Sequence, residues 1–180
     1  MSLAVGGLRA IPWAVVLTLG LAGCASLAPP VEGELLSGRL SIRVNGQPER
    51  SVSGGFELSG TARQGALVLS GPLGTTALRA QWAPGAAVLA HPGGGETRYD
   101  DLDALARATL GEAIPMAALF DWLRGRAWSG APATARADGE PGFEQLGWQI
   151  SLQRWDEGAL EAVRTLPPMI IVRARVELPS

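Results

Sequence analysis

Leu67-Val68-Leu69-Ser70-Gly71-Pro72-Leu73-Gly74-Thr75-Thr76-Ala77-Leu78 reads as a strand, a tight reversal and a second strand. Proline and glycine around the reversal supply the backbone geometry of a turn. Leu73 between them is the anomaly, because turn tips are ordinarily polar. It either folds back onto the sheet or offers an apolar side chain at an exposed tip, and the turn chemistry alone does not choose between the two.

Outward from this hairpin the period stays at two. Leu40, Ile42 and Val44 alternate with Arg39, Ser41 and Arg43, the pattern of a half-buried strand opening at Gly38. Further strands are predicted over Ser51 to Ser59, Ala62 to Ser70, Thr75 to Trp82 and Ala86 to His91, each separated by a few Gly, Pro or Asn residues. That spacing predicts an antiparallel meander. Gly54-Gly55 inside one strand, with small residues elsewhere, would weaken a flat sheet but permit bulges and strong curvature. Alternation resumes at Trp148, Ile150 and Leu152, and again at Ile170, Val172, Ala174 and Val176.

Two helices interrupt the strands. Asp100 is a suitable N-cap for a helix whose Leu102, Leu105, Ala106, Thr109 and Leu110 share one face, with Gly111 as its stop. Pro115 opens a second, in which Met116, Leu119, Phe120 and Leu123 form an apolar stripe ending at Gly125. The polar, Ala/Pro/Gly-rich stretch 129–142 reads as a long loop or irregular edge. The fold class is therefore mainly β with α, built from curved strands and two helices that must bury one face each.

The first residues are of a different kind. Arg9 precedes an apolar run from Ile11 to Leu21, too short for a span of about 20 residues. The run ends in Leu21-Ala22-Gly23-Cys24, a bacterial lipobox. Cys24 is the only cysteine, so an exported chain cannot use it in an internal disulfide, and lipidation accounts for it. The expected organisation is a signal peptide over 1–23, a lipidated N-terminus and Pro-containing tether over 24–36, and one β-barrel domain over 37–180. Ala25 is not the aspartate that marks inner-membrane retention in similar lipoproteins, which directs the expectation to the outer membrane, lipid-anchored and facing the periplasm.

Composition excludes several classes. The 180 residues carry a net charge of −2, with 15 basic side chains, all arginine, against 17 acidic ones, so no nucleic-acid surface is advertised. His91 is the only histidine and sits beside Pro92 and a glycine run, a poor start for a Ser-His-Asp triad. With Cys24 committed to lipid, a transition-metal site lacks ligands. Asp100, Asp101 and Asp103 favour a helix start over a cation site. Neither catalysis nor a metal nor a cofactor is expected.

Several short motifs, in order, resemble the LolB family of outer-membrane lipoprotein receptors: Gly38-Arg39-Leu40, Pro72-Leu73-Gly74, Tyr99, Trp122-Leu123-Arg124-Gly125, Gly147-Trp148 and Trp155. The chain departs from many relatives in ending Val176-Glu177-Leu178-Pro179-Ser180 without a tryptophan. The resemblance implies an open, incomplete antiparallel β-barrel with helices covering one end and an apolar interior that holds acyl chains. It implies a monomer that accepts acylated lipoproteins from a LolA-like periplasmic carrier and inserts them into the inner leaflet of the outer membrane. It also implies that Leu73 is the residue that enters the outer-membrane lipid. The predicted cavity residues are Leu40, Ile42, Phe56, Leu58, Leu67, Leu69, Leu78, Trp82, Trp148, Ile150, Ile170 and Val172, with Leu119, Phe120 and Leu123 from the second helix. Parity does not say which sheet face is concave, and the same side chains would serve in a solid core. A structural lipoprotein with a packed barrel that binds another envelope protein is the alternative from another class.

Overall fold

The computed structural model describes residues 35–71, 74–111 and 114–178, so Cys24 and Leu73 lie outside the described residues. One antiparallel sheet contains β1 (Leu36–Val44), β2 (Val52–Gly60), β3 (Gly65–Ser70), β4 (Thr76–Ala83), β5 (Ala86–Ala90), β6 (Glu96–Tyr99), β7 (Ala133–Ala135), β8 (Gly142–Gln145), β9 (Trp148–Arg154), β10 (Ala159–Arg164) and β11 (Ile170–Val176). Its order is β6-β5-β4-β3-β2-β1-β11-β10-β9-β8-β7. Two meanders thus meet where the first strand pairs with the last, Leu40 opposite Ala174 and Ile42 opposite Val172. The outer strands β6 and β7 do not pair, which leaves the barrel open.

Period-two patterning sets the inner face. On β1 Leu40, Ile42 and Val44 are buried while Arg39 and Arg43 are exposed, and on β11 Ile170, Val172, Ala174 and Val176 are buried while Arg173 and Arg175 are exposed. A one-residue slip would invert both. The bulges fall elsewhere than at Gly54-Gly55: register shifts occur between Leu69 and Ser70 against β4, and between Ala159 and Glu161 against β9. Gly54 serves close approach instead. A Cβ there would sit 2.0 Å from the carbonyl oxygen of Ser70.

The helices α1 (Leu102–Leu110) and α2 (Met116–Trp122) lie inside the curl. Asp101, not Asp100, is the N-cap of α1; its carboxylate accepts the Ala104 N–H at 2.6 Å. Asp101 holds the extended backbone of an N-cap, which places its oxygen over the first turn. Gly111 ends the helix at φ 72° with its N–H on the Arg107 carbonyl. Asp103 then accepts the Met116 N–H at 3.2 Å, so a carboxylate in the first turn of α1 caps the start of α2. The second helix stops at Trp122, before Gly125. Among the described residues no helix is long and apolar enough to cross a membrane.

The predicted loop 129–142 contains the short strand β7. β6, β8 and β10 lie outside the strands that the alternation predicts: the first two are four residues long, and β10 mixes apolar and small residues on both faces.

Candidate functional site

The inner face divides into two regions on either side of α2. On one side Leu119, Phe120 and Leu123 face a pocket of about 80 Å³ between α1, α2 and strands β1 to β4. Leu40 and Ile42 of β1, Phe56 and Leu58 of β2, Leu67 and Leu69 of β3, and Leu78 of β4 line it. So do Val52, Ala80, Leu102, Leu105, Ala106, Leu110 and Met116, none of which was named as a cavity residue from the sequence. The signal for the α1 members was present in their helical spacing, but the pattern said only that the face is buried, not against what. The remaining lining residue is Thr109, whose hydroxyl donates to the Leu105 carbonyl at 2.9 Å and is thereby withdrawn from the space. The lining holds no titratable group.

Five predicted cavity positions lie elsewhere. Trp82 is buried at the pocket's margin, its ring edge-on to Phe120 at 5.2 Å and its indole N–H donating to the Thr61 carbonyl at 2.9 Å. Trp148, Ile150, Ile170 and Val172 are buried on the far side of α2, the last three completely, and none of them lines the pocket. The physical reason is Trp122. It is 0% exposed and fills that side with its ring centroid 5.7 Å from Trp148. Its indole N–H donates to Oε1 of Gln145 at 2.9 Å. That oxygen also accepts the Trp128 N–H, while Nε2 of Gln145 donates to the carbonyls of Trp128 and Ala131. A buried amide with all four capacities used is a cross-link. Nothing in the sequence around Gln145 marks it, because a polar residue near a turn ordinarily faces solvent.

Residues weighed for other chemistry have structural partners. His91 opens the β5–β6 turn, with Nε2 2.9 Å from the Thr97 hydroxyl, and is exposed. Asp101 and Asp103 cap helices. Wider grooves occur outside the sheet, including one of about 400 Å³ beside Arg39, Arg173 and Arg175, but it is polar and open and cannot keep water from a hydrocarbon.

An open antiparallel barrel with a wholly apolar pocket under two helices defines a protein that holds apolar ligands. Sequence comparison makes the class particular: the chain belongs to the LolB family, whose model, described as outer membrane lipoprotein LolB, matches residues 35–178. An outer-membrane lipoprotein LolB of Bordetella petrii is 38% identical over 174 residues, covering 88% of this chain and 87% of the relative. That of Bordetella pertussis is 38% identical over 76% of this chain and 74% of its own length. That of Cupriavidus necator is 31% identical over 81% and 80%. The chain is thus an outer-membrane lipoprotein with the receptor role of the lipoprotein localisation pathway, and not an enzyme.

Proposed function

We propose that the pocket between α1, α2 and β1 to β4 receives the acyl chains of lipoproteins handed over by a LolA-like periplasmic carrier. The chain then releases them into the inner leaflet of the outer membrane. One observation carries this reading: every lining side chain is apolar or has its polar atom bonded internally. Removing a methylene from water gains about 0.8 kcal/mol, so an acyl chain crossing the periplasm unprotected would be held back by a cost of many kcal/mol. A graded series of apolar environments, from carrier to receptor to bilayer, moves it without ATP. The receptor acts as a monomer anchored through lipid on Cys24, with 1–23 removed, 24–36 as tether and 37–180 as the barrel. Leu73 enters the membrane and assists release.

The pocket measures about 80 Å³. At roughly 10–15 Å³ for each water-sized group it admits only a few methylenes, well short of a palmitoyl chain. Loading therefore requires α1 and α2 to move off the sheet.

Photocrosslinkers placed at Leu69 and Leu105 are expected to trap a substrate lipoprotein during transfer, and one at Ile150 to trap none. Capture from neither pocket position would favour a packed structural lipoprotein. Leu73→Glu is expected to leave acceptance intact and stall insertion; normal insertion would remove Leu73 from the mechanism.

A further inference from the structure

Connections in an antiparallel sheet alternate between its two ends. The turns 71–75, 146–147 and 165–169 fall at one end, as does the β1–β2 connection, while 61–64, 84–85 and 155–158 fall at the other, where Leu35 and Leu178 also lie. The end that carries the 71–75 turn presents two large apolar side chains to water, Leu146 at 47% exposure and Leu166 at 65%.

Leu146 is doubly unfavourable. It sits in a two-residue turn between the paired Gln145 and Trp148, with φ 54° followed by Gly147 at φ 76°. Two successive positive φ angles demand a type I′ turn, for which Asn-Gly is the favoured pair. A leucine there carries both left-handed strain and an exposed apolar side chain. It is the one non-glycine residue at positive φ among the described residues. Leu166 projects from the adjacent β10–β11 connection, and the two leucines border the same groove.

We infer that Leu146 and Leu166 form a second membrane-entering tip, on the rim about half the sheet away from the Leu73 turn. This rests on the proposed release into the bilayer. The occupant is lipid for two reasons. The leucines stand on separate turn tips as protrusions, which suits insertion into a fluid medium rather than fitting to a folded surface. Residues 145–148 and 163–171 contain no acidic side chain, and Glu144 is the single acidic residue on the groove they border, although the chain as a whole is acidic. Contact at two places on the rim seats the barrel's end on the membrane, where one tip would leave it free to tilt.

The test uses the Cys24-lipidated chain in vesicles of phosphatidylethanolamine and phosphatidylglycerol. An environment-sensitive dye is attached in turn through Leu73→Cys, Leu146→Cys, Leu166→Cys or, at the opposite end, Glu157→Cys. Blue-shifted emission that is lost to nitroxides on the lipid chains is expected at 146 and 166 and not at 157. Quenching at 73 alone would overturn the second tip and leave the proposed function standing. Quenching at 146 and 166 but not at 73 would support the tip and remove Leu73 from the release step. Dyes at 146 and 166 that ignore the lipid and respond only to added carrier would assign these leucines to a protein contact and overturn the inference. Leu146→Asn separates packing from membrane entry: it is expected to raise Tm by relieving the turn while slowing lipoprotein insertion. An unchanged insertion rate in that variant would also overturn the proposal.

Discussion

The two sides of α2 are built from the same alternating strands and end in opposite states. Toward β8 to β11, Trp122, Ile150, Ala162, Ile170 and Val172 are fully buried, and Gln145 ties the 128–131 segment to the helix. Toward β1 to β4, Val52, Leu67, Leu78 and Met116 are only partly buried, and space remains between sheet and helices. What separates the regions is the size and polarity of what α2 presents: a tryptophan with a bonded N–H on one side, and leucines and a phenylalanine on the other. A closed half holds the barrel together while an underfilled half stays available for a ligand.

The sharpest way to break this contrast is to empty the closed half. Trp122→Ala is expected to cost about 3–5 kcal/mol, the range for large-to-small changes in a core, and it also deprives Gln145 Oε1 of a donor. Urea unfolding measures it. A loss below about 1 kcal/mol would show that the Trp122 side is as loosely packed as the pocket.

Much of this architecture is legible in the sequence, but unevenly. The strands at 38–44 and 170–176 are plain because arginines mark one face of each and the other face is wholly apolar. Ala159-Leu160-Glu161-Ala162-Val163-Arg164 escapes because its outer face also carries Ala159 and Val163, which blurs the period. For the site, parity selects the inner face correctly for Leu40, Ile42, Phe56 and Leu58, yet it treats Ile150 and Val172 as equivalent to them. Nothing local distinguishes these positions. The distinction comes from Trp122, which reaches across from a helix and leaves the pocket on the opposite side. Asp100 and Asp101 show the same limit on a smaller scale: either could cap, and one residue's backbone geometry decides.

A smaller effect is expected at α1, which covers the pocket. Asp101→Ala removes the bond to the Ala104 N–H and should cost about 1 kcal/mol. Because α1 covers the pocket and not the closed half, hydrogen exchange should rise in 102–110 and stay unchanged in β9 to β11. Uniform acceleration would mean that the two regions unfold as a single unit. Smaller still in stability is Ala106→Leu, which adds volume to a buried pocket-lining position. Partial filling of the cavity should offset crowding and keep the change within about 1 kcal/mol, while crosslinking of a substrate lipoprotein from Leu69 falls. Undiminished crosslinking would place the acyl chain outside this pocket.

The least perturbing probe is pH. Arg136 and Asp138 hydrogen-bond across the β7–β8 connection, and this bond, with help from the Glu140 N–H, holds the Asp138 carboxyl below the usual carboxylate range. A depressed folded pKa means that the contribution is complete above the ordinary value of about 3.9 and disappears as pH falls through the lower folded value. Asp138 is nearly half exposed, so solvent keeps the effect small. Its location gives it diagnostic value: it lies at the edge strands of the closed half, whereas the pocket has no titratable lining. Acidification below pH about 4 should therefore raise amide exchange in 133–145 before it does so in 102–110, and Asp138→Asn should abolish that lead. If the helices loosen first in acid, the Asp101 and Asp103 caps of α1 and α2 outweigh the Arg136–Asp138 bond, and the stability of the closed half is not what keeps the helices on the pocket.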